Sequence, residues 1–278
     1  RLALRQLAGS YLAPFDLLTL PVQLEPAERQ RHDRETRVFR DFFGKLHIPP
    51  KETVFQYFYH EKEMRFKSWA QLLPDFETRI VAAYDQLFGP TIDSVSYTKV
   101  LSYLTSANKK TFLTGSTGVG KSVIVQEYIQ QSQEREGYAP VFLNFSAQTS
   151  SASVQKSIES KLTKKRGKKV IGAKGGQQCL IFIDDINMPK VEQYGAQPPV
   201  EFLRLLLDGG VIYDRPQFFK KVIENYRFVC TAAPPGGGRA TLTPRFMRHF
   251  HIVCIPNASE EILTSIFDTI LTEFLAKN

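Results

Sequence analysis

The chain is poor in cysteine, methionine and tryptophan: it has three, three and one of them in 278 residues. Three cysteines cannot build the dense disulfide framework of a small secreted domain. Cys179, Cys230 and Cys254 sit in or beside apolar runs and share no metal-ligand spacing, so buried, reduced thiols of a cytosolic protein are expected. No run approaches the roughly 20 apolar residues that cross a bilayer, and no membrane partner is expected. The first residues, "RLALRQLAGSYLAP", lack both a methionine and a long apolar core, so a cut inside a longer polypeptide is expected rather than a signal peptide. No internal repeat is visible.

What is present is an ordinary globular composition, 42% hydrophobic and 23% charged, with a formal net charge of +8. The positive charge is concentrated. "KLTKKRGKKVIGAKGG" (161–176) holds seven Lys or Arg and no acid. It reads as a solvated, flexible hairpin or loop, with contact to nucleic acid or an acidic partner as the competing reading. No aromatic residue interrupts the run, so base stacking on it is unsupported.

The first 50 residues mix short apolar pieces with a charged helical stretch ending at "IPP", a helical or irregular lead. "VFQYFYHEKEMRFKSW" reads as a strand followed by a turn. "LFGPTIDSVSYTKVLSYLTSANKK" reads as a loop and then a helix. Beyond it, short apolar runs recur at "TFLTG", "VFLNFS", "CLIFIDD", "FVCTAA" and "HIVCIP", separated by helix-length segments. Runs apolar on both faces and divided by crossovers indicate an α/β fold, a mostly parallel five-stranded sheet between helices.

"GSTGVGKS" (115–122) lies between the first of these runs and "VIV". It fits G-x-x-x-x-G-K-[ST] in strand–loop–helix context, the phosphate-binding loop of P-loop NTPases. Glycines at Gly115, Gly118 and Gly120, with Ser116, Thr117 and Val119 between them, let backbone N–H groups approach phosphate oxygens. The helix N-terminus that follows adds partial positive charge. Lys121 is the candidate for the β- and γ-phosphates and Ser122 for Mg²⁺. "CLIFIDD" then ends a strand in two carboxylates, the Walker B arrangement: Asp184 for Mg²⁺, Asp185 for orienting the attacking water. "FVCTAAPPGGGR" runs a strand into a Gly/Pro loop, where such proteins carry a polar sensor residue. "LTPRFMRHF" puts Arg245 and Arg248 just before the last strand, as arginine fingers or as surface ion pairs. "PPVEFLRLLLDGG" reads as a core-facing helix closed by glycine.

In order, the P-loop, "VFLNFSAQTSS", "IFIDDINMPKVEQYGAQPPVEFLR", "APPGGGR" and "TPRFMRHF" together resemble the dynein heavy chain family, in particular the third AAA+ module of an axonemal-type heavy chain. The resemblance covers roughly residues 52–278. It implies the AAA+ sheet order 5-1-4-3-2 and a division into three parts. Residues 1–50 would end the preceding module and connect it, 51–256 would form the α/β nucleotide-binding subdomain, and 257–278 would begin the helical lid. It also implies one wedge of a six-module ring in a microtubule motor, in the cytoplasm and the cytoskeleton of the ciliary or flagellar axoneme. Its partners would be the neighbouring modules, dynein light and intermediate chains, and microtubules reached through a distant stalk, with no nucleic acid.

Carried over by resemblance, Gly115, Gly120, Lys121 and Ser122 bind phosphate and Mg²⁺, and Asp184 is the Mg²⁺ aspartate. Thr91 and Ile92 would contact adenine, and Arg248 would reach the neighbouring module's nucleotide. Two departures bear on turnover. The catalytic Glu of the wider AAA+ pattern is replaced by Asp185, and its usual sensor Asn corresponds to Ala233. The expected function is therefore a regulatory site that binds Mg-ATP or ADP and hydrolyses slowly. The alternatives are an AAA+ ATPase that remodels nucleic acid or protein, and a structural wedge that holds nucleotide without turnover.

Overall fold

The computed structural model describes residues 56–60, 63, 65–73, 90–167 and 169–277. The expectations for residues 1–50 lie outside the described residues. The described residues fall in two compact units. One is Val100–Ile255; the other comprises the described residues before Val100 together with Pro256 and those after it.

In the second unit, β1 (Tyr57–His60) pairs antiparallel with β2 (Arg65–Ser68), so the strand and turn expected here continue into a full hairpin. Phe58 stacks on Trp69 at 4.7 Å between ring centroids, which gives this small hairpin an apolar anchor. Helix α1 (Ile92–Ser106) starts with a reciprocal cap: Ser94 N–H donates to Thr91 Oγ1 at 3.1 Å and Thr91 N–H to Ser94 Oγ at 2.9 Å.

Unit Val100–Ile255 is built on the five expected runs. They are β3 (Thr111–Thr114), β4 (Ala139–Asn144), β7 (Cys179–Asp184), β10 (Tyr226–Ala232) and β11 (His251–Cys254). Their order is β11-β3-β10-β7-β4, with every neighbouring pair parallel. Counting only these five in chain order gives 5-1-4-3-2, as the resemblance implied. Burial explains the sequence pattern. On the inner strand β7, Leu180, Ile181 and Ile183 are all fully buried, so both faces are apolar. On the edge strands Phe142 and Ile252 are more than half exposed.

The crossovers are α2 (Lys121–Glu136), α3 (Ser151–Lys161), α4 (Pro198–Gly209) and the single-turn α5 (Pro244–Met247). In α4, Val200, Leu203, Leu206 and Leu207 face the core, and Gly210 closes the helix at φ 64° with its N–H on Leu206 O. Helix α6 (Glu260–Lys277) follows in the other unit, with Ser259 Oγ accepting from Ile262 N–H.

The sequence reading did not find a second sheet. The basic run forms a hairpin, β5 (Thr163–Arg166) against β6 (Val170–Gly172), bulged between Lys164 and Arg166. Strand β6 then pairs parallel with β9 (Lys220–Ile223), which pairs antiparallel with β8 (Val211–Tyr213). Two insertions, one after α3 and one after α4, thus join into one four-stranded sheet. Its apolar side chains Ile171, Ile212 and Ile223 belong to the main core. Cys179 and Cys230 are buried as expected, whereas Cys254 is exposed, because edge strand β11 turns it outward.

Candidate functional site

In a parallel sheet, sites form where strands end. The loop 115–120 leaves the end of β3 and enters α2 at Lys121. Two different constraints select its glycines. A Cβ on Gly115 would stand 2.3 Å from Ile255 O, because the chain beyond β11 is held against β3 by Ile255 N–H donating to Thr114 O at 2.7 Å. Gly118 and Gly120 have open space around them but φ of 86° and 82°, a region other residues enter at a cost. Ser116 and Thr117 are exposed, and Val119 and Ser122 are half-buried.

Lys121 is 7% exposed, and its Nζ donates to Gly115 O at 3.0 Å and Ser116 O at 2.7 Å. The ammonium is thus folded onto the carbonyls of its own loop. Burial pushes its pKa below the ordinary lysine value; the charges of Asp185 and Asp184 oppose that shift and Arg239 reinforces it. Four charged groups therefore share one field: Lys121, Asp184, Asp185 and Arg239.

The carboxylates are held from β10, the strand between β3 and β7. Thr231, fully buried, donates its hydroxyl to Asp184 Oδ1 and accepts from Asp185 N–H at 3.3 Å. Asp185 sits in the left-handed region at φ 50°. Asn187, 2% exposed, ties down the loop after β10 at both ends. Its Nδ2–H donates to Ala233 O at 2.8 Å, and its backbone carbonyl accepts from Ala240 N–H at 3.0 Å. That loop carries Arg239, whose Nε lies 3.9 Å from Asp185 Oδ1. Ala233 itself is buried and brings only a methyl group and its backbone.

Arg248 lies apart from these groups. Arg248 donates to Asp208 Oδ1 at 2.8 Å, at the C-terminal end of α4, and His249 and Arg204 also reach Asp208. Burial raises the Asp208 pKa, but the hydrogen bond from Arg248 and the charges of His249, Arg248 and Arg204 outweigh it, and the net shift is downward. Lys110, immediately before β3, donates to Leu207 O, so this cluster lies where the strands begin, at the opposite edge of the sheet from the P-loop. Arg245 is exposed. Thr91 and Ile92 open α1 in the other unit; the Thr91 hydroxyl is engaged in the helix cap and Ile92 is 45% exposed.

Walker-type loop, paired aspartates and 5-1-4-3-2 sheet coincide with a family match. The model of the P-loop containing dynein motor region matches residues 76–258. The chain belongs to that family. Dynein axonemal heavy chain 6 of Homo sapiens is 45% identical over 212 residues, 76% of this chain and 5% of the relative. Dynein axonemal heavy chain 12 of Mus musculus is 39% identical over 228 residues, 81% of this chain and 7% of the relative. The dynein-1-beta heavy chain of the flagellar inner arm I1 complex of Chlamydomonas reinhardtii is 36% identical over 229 residues, 82% of this chain and 5% of the relative. The chain thus spans less than a tenth of the length of these relatives.

Of the residues singled out from the sequence, Gly115, Gly118, Gly120, Lys121, Asp184 and Asp185 lie together at this edge of the dynein motor-region fold. Thr231, Asn187 and Arg239 were missed as members of the site. Register shows the reason for Thr231: Cys230 lies opposite Ile183, so Thr231 comes beside Asp184, and no spacing within either segment contains that pairing. Among the described residues, no group of three His, Cys, Asp or Glu side chains forms a metal cluster.

Proposed function

We propose that this segment is the third AAA+ module of an axonemal dynein heavy chain and that residues 115–122 bind the phosphates of ATP or ADP. The observation that carries the reading is the buried Lys121 ammonium. It is held by two loop carbonyls and flanked by Asp184 and Asp185, at a loop whose Gly118 and Gly120 Cβ positions are open. A polyanion arriving there gives Lys121 a stronger partner than neutral carbonyls. The loop N–H groups and the start of α2 supply further donors. Ser122 and Asp184 would hold Mg²⁺, which would neutralise phosphate charge. Thr91 and Ile92 would contact adenine, and Ser116, Thr117 and Val119 would contribute backbone to the cradle.

Hydrolysis at this site is slow in this reading. Phosphoryl transfer to water depends on positioning. Asp185 is one methylene shorter than Glu, and Ala233 has no side-chain hydrogen bond for a water or phosphate. Displacing a reacting group by about 1 Å costs on the order of 100-fold. The module then acts as a switch whose occupancy biases its neighbours, with a coupling of about 1–3 kcal/mol as is typical of allosteric sites. Arg248 would act on the neighbouring module's nucleotide, consistent with its distance from its own P-loop. The parent protein is read as a microtubule motor of cilia and flagella, with neighbouring modules, light and intermediate chains and microtubules as partners. The pairing of Asp185 with Arg239 also favours a second reading, a wedge that holds nucleotide without turning it over.

Calorimetric titration with Mg-ATP and Mg-ADP tests nucleotide binding. Lys121→Ala is expected to abolish the heat of binding while circular dichroism stays unchanged, because among the described residues Lys121 bonds to carbonyls of its own loop and to no core strand. Undiminished affinity would mean that the loop is not the phosphate site.

A further inference from the structure

Arg239 is a cation at the site for which the P-loop and Walker B motifs give no role. Its backbone is fixed. Gly236 and Arg239 exchange both backbone hydrogen bonds, at 3.1 and 3.0 Å, and the next residue is anchored by Ala240 N–H on Asn187 O. The intervening Gly237 and Gly238 take φ of 57° and 86°, which closes the turn that aims Arg239 back at β7. The side chain is 23% exposed, and its Nε is buried with no hydrogen-bond partner among the described residues. Its only ionic partner among the described residues, Asp185, stands 3.9 Å away, beyond hydrogen-bond length. A guanidinium has five N–H donors in a planar fork that matches phosphate oxygens. Here a rigid backbone holds that fork, under-satisfied, beside the two carboxylates and in the field of Lys121.

We propose that Arg239 is a phosphate-reading residue acting within its own module: it lies beside Asp185 and hydrogen-bonds the terminal phosphate of a nucleoside triphosphate when one is bound. This rests on the nucleotide-site reading above. The Walker lysine reaches the β- and γ-phosphates, so a cation that shares a field with Lys121, Asp184 and Asp185 is placed for the outermost phosphate. Arg239 then does two things. It distinguishes triphosphate from diphosphate, and its exchange of partners frees the Asp185 carboxylate only when a γ-phosphate is present. Removing it therefore costs affinity for triphosphate and spares diphosphate.

The test is equilibrium binding of ADP and of β,γ-imido ATP, both with Mg²⁺, to the full-length heavy chain that carries this segment. The other nucleotide sites are disabled, and Lys121→Ala provides the baseline for this one. A charge-assisted hydrogen bond contributes about 1.5–3 kcal/mol, so Arg239→Gln is expected to weaken β,γ-imido ATP about 10- to 100-fold. ADP affinity stays within about 2-fold of the parent, since this contact is absent from the diphosphate complex. Arg239→Lys, which keeps the charge but not the fork, recovers part of the ratio. An unchanged ratio of the two affinities in Arg239→Gln, whether both fall together or neither falls, would overturn the proposal. Failure of the parent chain to bind either nucleotide above the Lys121→Ala baseline would overturn the nucleotide-site reading and the proposal with it.

Discussion

Replacing Thr231 by Val removes one hydroxyl from a fully buried position and keeps the side chain's volume and branching. In the parent, that hydroxyl donates to Asp184 Oδ1 and accepts from Asp185 N–H. Valine leaves a carboxylate oxygen without its donor and a backbone N–H without its acceptor. Losing a hydrogen bond to a charged group costs about 1.5–3 kcal/mol; the 3.3 Å contact is long and adds little. For a unit of this size, about 1 kcal/mol corresponds to about 2–4 °C, so Thr231→Val is expected to lower the melting temperature by about 3–12 °C. The comparison that gives this number meaning is Thr231→Ser, which keeps both hydrogen bonds and deletes one buried methyl group, at a cost of about 1 kcal/mol. Differential scanning calorimetry of the three proteins measures both effects. If Ser destabilises as much as Val, Thr231 serves packing and the carboxylates are not held from β10.

Two other substitutions probe separate parts of the account. Gly115→Ala puts a Cβ against the Ile255 carbonyl, a backbone atom that cannot swing aside, so the start of the P-loop and the end of β11 must separate. Loss of the Ile255–Thr114 hydrogen bond plus overpacking is expected to cost about 2–4 kcal/mol, measured by denaturant unfolding; a loss below about 0.5 kcal/mol would show that the two segments part freely. Arg248→Ala breaks an exposed ion pair and is expected to leave the melting temperature close to the parent's. In the full-length chain it is expected to alter the nucleotide response of the module before it, if Arg248 acts in trans as proposed, and to leave affinity at Lys121 unchanged. A drop in affinity at Lys121, with the neighbour unaffected, would contradict a role in trans.

The sheet was legible because its inner strands are buried on both faces, which forces unbroken apolar runs such as "CLIFID". Helix α4 was legible for the same kind of reason, a core-facing stripe and a glycine stop. The second sheet was not. Its strands are three or four residues long, too short for a period to show, and the β6–β9 pairing joins Ile171 to Ile223, far apart in the chain. A hairpin was among the readings of the basic run, but its charges gave no sign that β6 pairs with β9 or that Ile171 enters the core. At the site, residues bound by local geometry were readable: the P-loop glycines, Lys121 and the aspartate pair. Thr231, Asn187 and Arg239 act across strands and loops. Their roles depend on register and on where a loop closes, which no local spacing encodes.

The central claim is a site that holds nucleotide and turns it over slowly because Asp185 is short and Ala233 is silent. Single-turnover hydrolysis of γ-labelled ATP at this site, in the full-length chain with the other sites blocked, tests it most directly. Asp185→Glu combined with Ala233→Asn is expected to accelerate turnover by about 100-fold, as about 1 Å of misplacement is removed, while binding stays within a few-fold of the parent. Parent turnover as fast as that of the motor's main hydrolytic site, or no acceleration in the double variant, would contradict the account.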